Sequence, residues 1–168
     1  MSVDESSIPP LLQNFRDRLR ELRSEYDFEE MKSDPELTKN YLKDLREPSP
    51  LSVTVPEEYG GNGASTKDFL TMDTYVGYES LPLALLFGIN GALFLQPIAK
   101  HADEETKQKI LPQYLEEKQL GGLMITEPEF GTDALNMTTG FDQTDGRYEV
   151  SGLKHWAGLT GWADHWLI

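Results

Sequence analysis

The chain has 168 residues, with 15 basic side chains against 29 acidic ones and a net charge of −14 with histidine neutral. No Lys/Arg cluster is present to track a phosphate backbone, which argues against nucleic acid as a partner. Cysteine is absent, so disulfides, thiolate metal sites and cysteine nucleophiles are excluded together. The apolar content of 38%, with 10% aromatic residues, is that of a chain that folds around a core.

The start, MSVDESSIPP, lacks the basic and apolar regions of a secretory signal and the Arg-rich bias of a transit peptide, so a cytoplasmic location is expected. A first helix carries Leu12, Phe15, Leu19 and Leu22 at three- and four-residue spacing, with Arg16, Arg18, Glu21 and Arg23 facing water. Asp34-Pro35-Glu36 starts a second, carrying Leu37, Tyr41 and Leu45 and stopping before Pro48. EPSPLSVTVPEEYGGNG is a loop. Ser65 to Glu79 resumes the helical pattern with Phe69, Met72 and Val76 on one face. From Ser80 to Ala99 there is no charge, a length that could cross a bilayer. Its two prolines, two glycines, Asn90, Gln96 and acidic flanks instead predict a buried core helix from Pro82 and no membrane span. Asp103-Glu104-Glu105 marks the next helix start, which Pro112 is expected to interrupt.

At Leu120 the pattern changes. Leu123, Met124 and Ile125 form a short apolar run, Thr138 to Phe141 and Arg147 to Val150 a hairpin turning at Asp145-Gly146, and Ala163 to Ile168 a further strand. The chain is therefore expected to be α+β, with helices over 1–119 and strands over 120–168, the latter stopping in mid-pattern as if cut within a domain.

Two segments could carry chemistry. In LMITEPEFGTD (123–133), a strand delivers Thr126 to a loop shaped by Pro128 and Gly131, whose amides and Thr126 and Thr132 hydroxyls can bond a polar, ring-shaped or phosphorylated ligand. The alternative is an ordinary strand-to-loop transition. In GLKHWAGLTGWAD (152–164), Trp156 is placed on a strand beside Ala157 and Gly158, small residues that let a flat ligand approach; the alternative makes Trp156 and Trp162 core residues. His101, His155 and His165 lack metal-ligand spacing, and no metal site is expected. Glu57-Glu58 and Glu104-Glu105 read as solvated charge, while Glu127 and Asp133 orient the loop.

With VPEEYGG at 55–61, the uncharged helix and HADEETKQKILPQY in the order they occur, these segments resemble the acyl-CoA dehydrogenase family over residues 50–168. The resemblance implies an amino-terminal all-α helical domain over 1–119, then the first strands of an incomplete β-barrel-like middle domain over 120–168. It implies FAD as cofactor, an acyl-CoA thioester dehydrogenated at its α,β bond, electron-transfer flavoprotein as electron acceptor, and a homo-oligomer. Leu123, Met124, Ile125, Thr126, Gly131 and Thr132 match the segment lining the flavin, with Thr126 bonding its ring and Thr132 near the pyrophosphate and the substrate. Trp156, Ala157 and Gly158 match the contact beside the ring. The family's catalytic glutamate comes from a later helical domain, so no catalytic residue is assigned in this chain. Gly158 stands where the family commonly has Thr or Ser, Glu129 and Phe130 replace small residues, and Leu123 an aromatic. A non-catalytic helical interaction module, and a flavin oxidase or monooxygenase of the same superfamily, remain alternatives.

Overall fold

The computed structural model describes residues 9–45 and 53–168; residues 47–52 of the expected long loop, and with them the expected helix stop before Pro48, lie outside the described residues. α1 (Pro10–Glu25) buries Leu12, Phe15, Leu19 and Leu22 as the spacing predicts. Arg16 departs from the expected wet face, because its guanidinium lies 5.7 Å from the centre of the Tyr75 ring and covers it. A short α2 (Phe28–Met31), which periodicity did not suggest, precedes α3 (Pro35–Leu45). Asp34 caps α3, its carboxylate accepting from the Glu36 and Leu37 amides at 2.9 and 3.1 Å. α4 (Thr66–Glu79) opens on a reciprocal Ser65–Asp68 capping box and buries Phe69, Met72 and Val76. At its far end Glu79 is held by Arg23 of α1, at 3.0 Å to the carboxylate and 3.2 Å to the carbonyl.

Leu81–His101 forms one continuous helical run in three parts: α5 (Leu81–Gly88), a π-helical segment (Ile89–Leu95) and α6 (Gln96–His101). By length and composition this run could cross a membrane. Here Leu83, Phe87, Asn90, Gly91, Phe94 and Leu95 are buried against the other helices, while Leu81, Leu85 and Leu93 are exposed. α7 (Glu104–Glu116) is capped by Asp103 and continues through Pro112. The expected interruption does not occur, since Pro112 and Gln108, whose carbonyl loses its partner, both face solvent.

The VPEEYGG segment is a compact turn. Tyr59 is buried and its hydroxyl donates to Glu104 at 2.8 Å, which holds the phenol up at about 12 and gives Glu104 a structural partner rather than solvated charge alone. A Cβ at Gly61 would fall 2.0 Å from the Val55 carbonyl oxygen, so no other residue fits that backbone approach.

After α7 come four short strands: β1 (Gly121–Leu123), β2 (Gly140–Thr144), β3 (Arg147–Ser151) and β4 (His165–Leu167). β1 pairs in parallel with β4, Gly121 opposite His165 and Leu123 opposite Leu167. The strand starts two residues before the expected apolar run, because its edge is set by Leu120 and Asp164. The Asp164 side chain accepts from the Leu120 amide, and the Asp164 amide donates back, both at 2.8 Å. β2 and β3 form the expected antiparallel hairpin, turning on Asp145 (φ 52°) and Gly146 (φ 75°). All its residues are exposed. Trp156 is not on a strand: the segment from Lys154 to Ala157 has no ladder partner, and Trp156 sits at φ 60°.

β1 is clamped to the long helix by a buried polar centre. Asn90, in the π segment and fully buried, accepts on Oδ1 from the Tyr114 hydroxyl and from the Gly121 amide, the latter at 2.9 Å. Phe94 stacks on Tyr114 and on His165, whose Nε2 lies 2.7 Å from Gln119 Oε1. His165 is thus part of the junction between helices and strands rather than a surface group.

Candidate functional site

β1 carries the chain from the Asn90 clamp to Thr126, and the backbone there is tied on both sides. The Met124 amide donates to Leu167 of β4 at 2.8 Å, and the Thr126 carbonyl accepts from the His155 amide at 2.8 Å. Residues 127–130 then fold back on themselves, Glu127 and Phe130 exchanging backbone bonds at 3.0 and 3.2 Å. The Thr126 hydroxyl is left without a protein partner among the described residues.

Around Thr126 lies a cleft of about 300 Å³ lined by Leu123, Ile125, Thr126, Trp156 and Gly158, with Leu85, Ile89, Leu93, His155, Leu159 and Trp166. The structure therefore brings together five of the residues singled out from the sequence. Met124 and Ala157 lie within the same two segments but do not line the cleft; Ala157 instead accepts from the Thr160 amide and hydroxyl at 3.1 and 2.7 Å, starting the turn at 158–162. Gly131 and Thr132 sit on the exposed loop and are not part of the lining. A second cleft of about 290 Å³ shares Leu85, Ile89, Gly158 and Leu159 and extends past Trp162 to Thr38, Leu42 and Pro82.

Three of the eleven residues lining the first cleft come from the long helix, which the sequence reading assigned only to the core. The readable signal is the row Leu85, Ile89, Leu93 at four-residue spacing, opposite the buried row. Trp156 stands over the cleft 86% exposed, an indole with little packed on it. Gly158 has open space where a side chain would go, the nearest atom to a Cβ being the Ile89 Cδ1 at 3.9 Å.

Behind the cleft lies an ion pair. Glu127 and Lys154 meet at 3.0 Å with side chains 2% and 10% exposed. Glu127 also accepts from the Thr138 amide and hydroxyl, each at 2.7 Å, and from the Thr139 amide at 2.8 Å. Its carboxyl is held well below the usual carboxylate range, first by the Thr139 hydroxyl, which lies near it without a well-aligned hydrogen bond, and then by the Thr138 amide. A carboxylate so occupied orients the loop, as expected, and is a poor base. Asp133 has the same kind of role, holding the Asn136 side chain at 2.7 Å. The lowered Glu127 value carries a sign: the ionised form is the one the fold favours, so this contribution is present above the ordinary range and is lost only as pH falls below it. Followed from pH 6 to pH 2, the Thr138 and Thr139 amide resonances are expected to stay fixed through the ordinary carboxylate range and move only in stronger acid. Movement centred near pH 4.3, the ordinary glutamate value, contradicts the assignment.

With that geometry in hand, the comparisons with known proteins are specific. Residues 11–118 match the model of the acyl-CoA dehydrogenase N-terminal domain. Isovaleryl-CoA dehydrogenase from Solanum tuberosum is 31% identical over 106 residues, 63% of this chain and 26% of the relative. L-prolyl-[peptidyl-carrier protein] dehydrogenase from Pseudomonas fluorescens is 32% identical over 117 residues, 68% of this chain and 31% of the relative. The structure of acyl-CoA dehydrogenase complexed with FAD from Bacillus anthracis superposes with a TM-score of 0.80 over 99% of this chain and 29% of that one, at 22% identity. The chain thus spans between a quarter and a third of the length of these relatives, and its helices and short strands follow the amino-terminal part of their fold.

Proposed function

The chain belongs to the acyl-CoA dehydrogenase family, and from that membership we propose that it is the amino-terminal portion of an FAD-dependent oxidoreductase acting on the α,β carbon–carbon bond of an acyl-CoA thioester. The observation that carries the proposal is the set of open groups at the cleft: a Thr126 hydroxyl without a partner among the described residues, an exposed indole at Trp156 and open space at Gly158 surround an apolar concavity. These groups fit one face and one edge of a flat heteroaromatic ring. A hydroxyl donor can meet a ring heteroatom, the indole can pack beside the ring, and the absence of a side chain at Gly158 leaves room for both.

When bound, the isoalloxazine would supply acceptance of the hydride that leaves the β-carbon. The chain's own residues have simpler tasks. Thr126 would donate its hydroxyl to the ring edge, Trp156 would cover a face, and Leu123, Ile125 and Trp166 would keep water out, which strengthens the electrostatics of the bonds that remain. The row Leu85, Ile89 and Leu93, continuing into the second cleft, would take the acyl tail. Residues 120–168 would be the beginning of the middle β domain, and Gly131 and Thr132, on the exposed loop, would contact the cofactor's phosphates and the substrate.

No carboxylate lines either cleft, and Glu127 is committed to its own partners, so the base that removes the α-proton is assigned outside these residues. Electron-transfer flavoprotein as acceptor, a homo-oligomeric holoenzyme and a cytoplasmic location belong to the same proposal. The purified chain, incubated with FAD, an acyl-CoA and an artificial electron acceptor, is expected to show weak or no FAD binding and no turnover. Robust turnover overturns the assignment of the base, and a longer form of the protein that folds without a stoichiometric yellow cofactor favours the interaction-module alternative.

A further inference from the structure

Lys154 lies between an apolar leucine and two aromatic residues, and nothing in the sequence pattern singles it out. In the structure its side chain is nearly buried; the ammonium lies 3.4 Å from the Met137 sulfur and makes two further directed bonds, one on either side of Thr126. It reaches the Ile125 carbonyl, immediately before Thr126, at 3.2 Å. It also reaches the Glu127 carboxylate, immediately after, at 3.0 Å. Glu127 in turn holds the Thr138 and Thr139 amides, and the next residue after Lys154 donates its amide to the Thr126 carbonyl. Thr126 is therefore gripped at the residue before it, at its own carbonyl and at the residue after it, and its hydroxyl remains open to the cleft.

A buried ion pair is a weak source of net stability, because the loss of hydration offsets the attraction; in some proteins such a pair serves to fix geometry instead. Here the partners are spaced so that the two segments flanking the cleft, 125–127 and 154–156, are locked at Thr126. We propose that Lys154 and Glu127 are a positioning pair for Thr126, setting the direction of its hydroxyl toward a bound flavin ring. This rests on the flavin reading of the cleft, and the test separates the two.

The chain and its variants K154M, K154R, E127Q, T126V and T126V/K154M are titrated with FAD, following the quenching of flavin fluorescence. K154M and T126V are each expected to weaken FAD binding at least fivefold, and T126V/K154M to be no weaker than the poorer single variant, because Lys154 acts through the hydroxyl that T126V has already removed. K154R, which keeps the charge and can reach both acceptors, is expected to stay within about twofold of the parent. Effects of K154M and T126V that multiply, or an unchanged affinity in K154M, overturn the proposal. Amide exchange on the flavin-free chain provides the second arm. Protection of the His155, Thr138 and Thr139 amides is expected to fall at least tenfold in K154M and E127Q while α4 is unaffected. Unchanged protection in K154M overturns the pair as a clamp, even where the parent chain binds no FAD and the flavin reading is what has failed. Should E127Q not fold, the Lys154 variants decide the matter alone.

Discussion

Gly121→Ala is expected to destabilise the chain by about 3 kcal/mol, the upper part of the usual range for overpacking, and to lower Tm by roughly 6–12 °C at this chain length. The added methyl would sit 2.0–2.3 Å from three atoms of the Phe94 ring. Phe94 has no easy retreat: it is buried, and its ring packs in a three-ring cluster with Tyr114 and His165. The strand cannot retreat either without breaking the Gly121 bond to Asn90 and the parallel pairing with β4. Thermal unfolding followed by circular dichroism checks the prediction. A Tm within two degrees of the parent would mean that β1 is more loosely seated than its contacts indicate.

The second large effect is expected at Asn90. Asn90→Leu takes the acceptor from the Gly121 amide, at about 1–3 kcal/mol for a buried donor left unpaired, and removes the Asn90 acceptor from the Tyr114 hydroxyl. Part is returned, because the Asn90 Nδ2 has no partner among the described residues and its burial cost disappears with it. The balance is a net loss of about 2 kcal/mol, with the further expectation that protection of the Gly121 amide against exchange collapses. Tyr114→Phe, which leaves the Asn90–Gly121 bond in place, is expected to cost about 1 kcal/mol and to preserve that protection. Equal losses in the two variants would place the important contact at Tyr114 rather than at the strand.

Both predictions concern the junction, which was also where the sequence was least legible. The helices could be read because their signals are local: Asp34, Ser65 and Asp103 each bond amides two or three residues away, and the buried stripes recur at helical spacing. The hairpin was readable for the same reason, its turn residues lying between its own strands. β1 and β4 are joined across more than forty residues by a parallel ladder of three pairs, and no local pattern encodes that register. The left-handed conformation of Trp156 is likewise set by what its neighbours bond, not by its own type. In the candidate site, Thr126, Trp156 and Gly158 were visible through the resemblance. The helical wall was missed, because a charge-free helix reads as core on every side unless the Leu85, Ile89, Leu93 row is set apart from the buried one. Glu127 was read as a loop-orienting residue, but its partner Lys154 was separable from ordinary surface charge only once its burial was known.

The widened turn at Ile89–Leu95 has a consequence for how one helix faces two ways. In a uniform α-helix a step of four residues overshoots a full turn by about 40°, so a row such as Leu85, Ile89, Leu93 would wind progressively off the cleft. The π segment takes more residues per turn, which cancels that overshoot and keeps the row in phase with the cleft. Meanwhile Asn90 and Phe94 stay aligned with Tyr114 and Gly121 on the other side. The segment acts as a phase correction between an inner and an outer surface. Removing one residue from it would leave the hydrophobic content intact yet rotate the strand clamp and the cleft wall out of step with each other.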